Sequence, residues 1–297
     1  MATAAKPATT AKPAAQVAPT ATEEAAPAEQ AVAAPEVFDM SAYAGAGSET
    51  QTAKDIAIPF LKVLQPLSPE LDESDAKFIP DAKQGEFLNS VTSQRYGGKE
   101  GLLFVPCYYE RKQLRWGARA GGGGFKGELS ELEVAQAREK NLLVNFEGRD
   151  YFTQDGTVDP KRNDRLSDSR LHYGLILKDD GSLPSRVLLS LTSTQIKKSK
   201  LFNALMRERT IPMPGGTLAI APTFAYSYRL TTVKESNDQG SWYGISIALN
   251  ERVPTKFIFD MGAAFYTAVK SNEVKVDLAQ AADSAPAGVS DEDKDKF

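Results

Sequence analysis

The sequence predicts an α+β fold built around a largely antiparallel sheet. Three observations carry that prediction. About six strand-like runs and three or four helical stretches succeed one another without the strand–helix–strand alternation of a parallel sheet. Several runs are joined by tight turn signals, Asp180-Gly181 among them, which fold one strand straight back onto the last. And 297 residues with 41% hydrophobic content supply apolar side chains for a sizeable core. Short hairpin-linked strands are compatible with an oligonucleotide-binding (OB-fold-like) barrel carrying added helices.

Residues 1–53 read as a disordered arm. The first 35 contain 20 Ala or Pro and no aromatic, Leu or Ile, and the prolines at 7, 13, 19, 27 and 35 break any helix the alanines would favour. A single folded domain is expected over 54–270. It opens near Asp55 with "DIAIPFLKVLQPLSPEL", read as a short helix with Pro59 early and Pro66 at its end. "GEFLNSVTSQRY" reads as one strand, "GGKEG" as a turn and "LLFVPCYYERKQLRWG" as a long strand. Alternation along the latter puts Tyr109, Arg111, Gln113 and Arg115 on one face, and Tyr108, Lys112, Leu114 and Trp116 on the other.

"ARAGGGGFKG" reads as a flexible loop, "ELSELEVAQAREKN" as a helix with acids early and bases late, and "LLVNFEGRDYFT" as a hairpin. "QDGTVDPKRNDRLSDS" reads as a polar loop. "RLHYGLILK" and "PSRVLLSL" make a second hairpin, and "TSTQIKKSKLFNALMRER" a helix capped by Ser193 or Thr194, with Ile196, Leu201 and Leu205 as its apolar face. "GGTLAIAPTFAYSYRLTTVKES" and "SWYGISIALNERV" form the longest hairpin, and "TKFIFDMGAAFYTAVKSN" an amphipathic helix. Residues 271–297 read as a disordered acidic tail.

Composition excludes several chemistries. One cysteine, Cys107, and one histidine, His172, leave no disulfide framework and no cysteine-rich zinc site. Both lie in apolar strand runs and read as packed residues. No cofactor or metal is expected, and no enzymatic activity. No run reaches the ~18 apolar residues of a membrane span, so no membrane is expected as partner. The N-terminal stretch lacks the apolar core of a secretory signal, which points to a host cytoplasm.

Net charge of -4 divides unevenly. Residues 1–50 carry two Lys against six acids, and residues 271–297 three Lys against seven, whereas 51–270 is net +4. A basic body between acidic ends suggests a polyanionic partner for the body. Its cations cluster twice. Arg111, Lys112, Arg115, Arg119 and Lys126 surround Tyr109, Trp116 and Phe125 beside "GGGGFKG"; Lys197, Lys200 and Arg207 share a helix face. Single-strand binding needs this mixture: cations neutralise phosphates while flat rings stack on bases. The glycine run is not a phosphate-binding P-loop, because Lys126 is followed by Gly127. Gly122, Gly124 and Gly127 match G-x-G-x-x-G, but the preceding "ERKQLRWGARA" is too charged for a buried parallel strand.

"DIAIPFLKVLQPLSPELDE", "IPDAKQGEFLNSVT" and "GLLFVPCYYERKQLRWG" together resemble a family of bacteriophage proteins found among phage replication genes. The terminal "DEDKDKF" resembles the acidic, Phe-terminated tails of single-stranded DNA-binding proteins of bacteria and podophages. That resemblance implies that Asp291, Glu292, Asp293, Asp295 and Phe297 recruit phage replication proteins. The expectation is a protein that coats single-stranded DNA during replication or recombination; the chain also admits a homo-oligomer. Its rivals are a virion or host-interaction protein and, third, a nucleotide-binding enzyme using the glycine loop.

Overall fold

The computed structural model describes residues 41–43, 46–52, 55–178, 180–237, 240–274 and 276–279. The chain divides into two units. In Met1–Glu49 the described residues include a 3-10 turn, Ser41–Tyr43. Everything below belongs to Thr50–Phe297.

Its strands are β1 (Leu61–Val63), β2 (Phe87–Asn89), β3 (Arg95–Tyr96), β4 (Leu102–Trp116), β5 (Phe125–Leu129), β6 (Leu143–Phe146), β7 (Arg149–Phe152), β8 (Arg165–Leu177), β9 (Ser185–Thr192), β10 (Thr210–Pro212), β11 (Leu218–Ile220), β12 (Tyr226–Asn237) and β13 (Gly240–Arg252). Its helices are α1 (Glu131–Glu139), α2 (Ile196–Arg207) and α3 (Lys256–Lys270). Among the described residues strand pairing is antiparallel, apart from one parallel bridge between Phe60 and Leu188. The α+β class is therefore as the sequence predicts.

The organising element is a long ribbon of β4 and β8, in register from Leu103↔Leu177 to Trp116↔Arg165. Proline in a central strand removes a ladder donor; here Pro106 lies at a bulge between Pro106 and Tyr108 that absorbs the loss. The ribbon carries both ends of one eight-stranded sheet. At its central end β12 pairs with Leu102–Phe104 of β4, β13 pairs with β12, and β9 pairs with β8. At its distal end β5 pairs with Gln113–Trp116 of β4, and β7 and β6 follow β8. The strand path ends at β13 on one side and β6 on the other, so the sheet stays open and no barrel closes among the described residues.

Each face carries its own core. On one, Phe104, Ile176, Leu189, Tyr228 and Leu230 pack with Phe202 and Met206 of α2 and with Leu61 and Phe87 of the β1–β2–β3 sheet. On the other, Val105, Leu114, Leu171, Tyr173 and Leu188 pack with Phe265 and Val269 of α3. Each fully buried side chain of this size contributes about 1.5–3 kcal/mol of transfer free energy. The open edge at β13 is partly closed by side chains: Gln65 Oε1 accepts from Tyr243 N (2.9 Å) and Gln195 Oε1 from Ile245 N (3.0 Å).

Several expectations are corrected. The stretch from Asp55 to Pro66 is extended, with β1 buried between β2 and the core, because Phe60, Leu61, Val63 and Leu64 are all buried and a short helix could bury only one stripe. "GEFLNSVTSQRY" is two strands: Asn89 Oδ1 accepts from the amides of Val91 and Thr92, and Ser93 takes a positive φ, turning the chain between β2 and β3. β8 begins at Arg165, inside the segment read as loop, and the 215–236 run breaks at Pro222 into β11, a 3-10 turn and β12. Ser193 adopts positive φ in a 3-10 turn, so α2 starts at Ile196 with Gln195 as N-cap. The buried stripe of α2 is Ile196, Ser199, Phe202 and Met206, while Leu201 is 50% exposed. Past α3 the chain stays packed: Val274 is buried, and Val276 and Leu278 rest on the α3 core. Residues 1–40, and the acidic run with Phe297, lie outside the described residues.

Candidate functional site

The distal end of the ribbon gathers the glycine loop, α1, the β6–β7 hairpin and the 153–164 loop. β6 and β7 are joined by Glu147 and Gly148, both at positive φ, the pattern of a two-residue hairpin turn. α1 is closed by a capping box in which Ser130 Oγ accepts from Glu133 N and the Glu133 carboxylate accepts from Ser130 N.

The structure brings the first basic cluster together, but mostly on carboxylates. Arg111 forks onto Asp168 (Nη2 at 2.9 Å) and reaches Glu131 at 3.3 Å. Lys112 meets Glu128 at 2.9 Å. Arg115 binds Asp164 at 2.7 Å and lies 4.2 Å above the Phe152 ring. Lys126 stands 3.8 Å from the same Asp164, which also accepts from Ala118 N. Asp164 thus ties the end of β4, the start of the glycine loop and β5 to one carboxylate. Arg119 opens a 3-10 turn in that loop. These counter-charges are not legible in the sequence, because only the fold brings β5, α1, β8 and the loop end at Asp164 opposite the cations of β4.

Tyr109 faces inward. Its hydroxyl accepts from Arg170 Nη1 (3.0 Å), and its ring lies 5.0 Å from that of His172. His172 is fully buried, its Nε2 paired with Ser199 Oγ at 2.8 Å, and its ring lies 5.0 Å from Phe202 as well. Burial, with Arg170 nearby, lowers its pKa to about 3, so it stays neutral. Burial likewise raises the Cys107 thiol.

Trp116 is only 7% exposed and packs on Phe125 at 5.5 Å between ring centroids. A ring buried to this degree has no free face for a base, which corrects the expectation of stacking on Trp116; Phe125 is half-buried. Lys197, Lys200 and Arg207 ride on α2, over the central half of the sheet, and do not join the loop cluster.

Two concavities flank the 153–164 loop. One, of about 600 Å³, is lined by Arg115, Phe152, Gln154, Asp155, Arg162 and Asp164, among others. The other, of about 400 Å³, is lined by Trp116, Gly117, Gly123, Gly124, Arg149, Tyr151, Pro160, Lys161, Asn163 and Arg165. Register explains the second. Trp116 pairs with Arg165 and Arg165 with Tyr151, so these three side chains stand in a row on one face. Arg149 follows two residues before Tyr151, on the same face, and its cross-strand neighbour is Phe146, which is 40% exposed. Sequence reasoning passed over Arg149, Lys161, Arg162, Arg165 and Phe146. The usable signal was Lys161-Arg162 and Arg165 in "PKRNDR", three cations in five residues within a segment dismissed as loop.

The glycine loop joins two antiparallel strands, so it is not the strand–loop–helix of a dinucleotide site. Gly122, Gly123 and Gly124 all take positive φ, and a Cβ at any of them would meet no atom within 4 Å. Their role is backbone conformation and open space, not packing. Gly117 differs, since a Cβ there would fall 2.7 Å from the Gly123 carbonyl.

Among the described residues no group of three or more His, Cys, Asp or Glu is placed to hold a metal ion, and no helix is long and apolar enough to cross a membrane. Residues 26–275 match the family described as Pam3 phage gp34-like protein, and the chain belongs to that bacteriophage family. No curated protein and no solved structure matches it.

Proposed function

We propose that this phage protein binds single-stranded DNA, without enzymatic activity, at the distal end of its central ribbon. The observation that supports this most is the pair of concavities around the 153–164 loop, whose linings together hold Arg149, Lys161, Arg162 and Arg165, with Asp155 and Asp164 in one of them. Phe146 stands beside Arg149 as an exposed ring. Cations meet phosphates and the ring meets a base, a combination that tolerates any sequence. The grooves lie on either side of a loop rather than along a helix, which favours a flexible strand over a duplex groove. In this reading the protein coats displaced strands during replication or recombination in the host cell. Asp291, Glu292, Asp293, Asp295 and Phe297 recruit replication partners, the acids meeting a basic rim and the Phe an apolar pocket.

The test is fluorescence anisotropy with a labelled single strand and the matching duplex over a salt series. The single strand binds more tightly, with a log–log salt slope of about -0.7 per phosphate neutralised. Phe146→Ala weakens strand binding by about 1–3 kcal/mol and leaves the melting temperature unchanged. Equal affinity for strand and duplex at moderate salt would sink the proposal.

A further inference from the structure

β10 and β11 form a small ribbon of their own, which pairs with no other strand among the described residues. One face of it is apolar and open to solvent: Leu218 is 70% exposed and Ile220 56%, with Pro212 exposed beside them, while Ile211 and Ala219 on the other face are half-buried. No residue from Thr210 to Tyr228 is charged, in a chain where 25% of residues are. Such a surface offers nothing to a phosphate or to an acidic segment. It does suit a second copy of itself, since two identical uncharged surfaces meet without like charges opposing.

The hydrogen-bond ladder shows which edge of the ribbon is open. Met213 N donates to the Thr217 carbonyl and Ala221 N to the Arg209 carbonyl, at 2.8 Å each, so the odd-numbered residues are the ones bonded across the ribbon. The N–H and C=O groups of Leu218 and Ile220 therefore point away from β10, to the free side of β11. On the opposite edge the outward positions are Thr210 and Pro212, and the proline has no N–H to donate. The β10 edge is thus blunted and the β11 edge is not. A ribbon of two three-residue strands is marginal in water, whereas more strands sharing an apolar face are not.

We infer that β11 is a self-association edge, at which two copies of the chain join antiparallel about a two-fold axis at Ala219 to make one four-stranded sheet. That register places Leu218 opposite Ile220 of the second copy, on both sides of the axis. Each of these pairs exchanges two ladder bonds, so every outward backbone group of the two residues finds a partner. Ala219 meets its own copy at the closely spaced position without hydrogen bonds, where a small side chain fits. The edge is short, so the dimer is weak and dissociates in the micromolar range. None of this depends on strand binding.

The test is sedimentation equilibrium of the full chain over a concentration series, with a thermal melt for each variant. Wild type shows a monomer–dimer equilibrium. Ile220→Pro removes only an outward donor and leaves the inner ladder whole, so the dimer is lost while the melting temperature holds. Leu218→Lys with Ile220→Lys sets like charges opposite one another across the axis and weakens the dimer about tenfold or more. Leu218→Glu with Ile220→Lys is as polar but sets opposite charges there, and it dimerises as wild type does. Both charged variants sit at exposed positions, so they decide the matter even if proline disturbs the ribbon. A wild type that stays monomeric to about 100 μM overturns the inference. A dimer that survives every variant overturns it as well, because the contact then lies elsewhere. So does a dimer that both charged variants abolish alike, because the apolar face rather than the strand register then carries it.

Discussion

Replacing His172 isolates a single titration, because it is the only histidine in the chain. In the folded protein its pKa is lowered to about 3 by burial, with Arg170 adding to the effect. In the unfolded chain it returns to about 6.5. Below pH 6.5 the unfolded state therefore binds a proton that the folded state refuses. Stability is full above that pH and falls as pH drops toward 3. One pH unit corresponds to about 1.4 kcal/mol, so at pH 5.0 the loss reaches about 2 kcal/mol. Carboxylates contribute little above that pH, which keeps the window clean. The assay is urea unfolding of wild type and His172→Gln at pH 7.5, 6.5 and 5.0. The variant starts less stable, having lost ring contacts with Tyr109 and Phe202. Between pH 7.5 and 5.0 the wild type loses about 2 kcal/mol more than the variant. Parallel pH profiles, or an imidazole proton signal titrating near 6.5 in the folded protein, would refute the reasoning.

Trp116→Ala removes a ring packed on Phe125 within the α3-side core and costs about 3–5 kcal/mol, read as a large fall in melting temperature; an unchanged melt would mean the ring is not core. Cutting the chain after Ala287 removes four acids and two lysines, a change of +2. Strand binding then tightens, most at low salt where charge is least screened, and stability is unchanged; a truncated protein that binds no tighter would make the tail an inert end.

The fold class was legible because period and turn chemistry are local. The hairpins at Asp180-Gly181 and around Glu147-Gly148 declare themselves in a few residues. What failed was whatever depends on partners distant in sequence. Leu61 and Val63 look helical between prolines until β2 and the core claim both their faces. Leu201 looks like core until Phe202 and Met206 set the orientation of α2. The site failed for the same reason. "PKRNDR" is a polar loop when read alone; only the Trp116↔Arg165 register carries its cations to the glycine loop.

Counting cations along the chain therefore misjudges where charge is available. The run from Arg111 to Arg115 holds three cations, but it lies on a strand whose surroundings supply Asp168, Glu131, Glu128 and Asp164. Exposed pairs of this kind contribute only about 0–1 kcal/mol each, so their effect is to hold the ribbon's end in one geometry rather than to stabilise the fold. A phosphate arriving there would have to displace a carboxylate first. In the pocket on the opposite face the register places rings, not acids, beside Arg165, and its lining retains three cations without a carboxylate among them. The paired cations and the glycine loop, joined through Asp164, act as a frame; the cations that sequence reading overlooked line the concavities beside it.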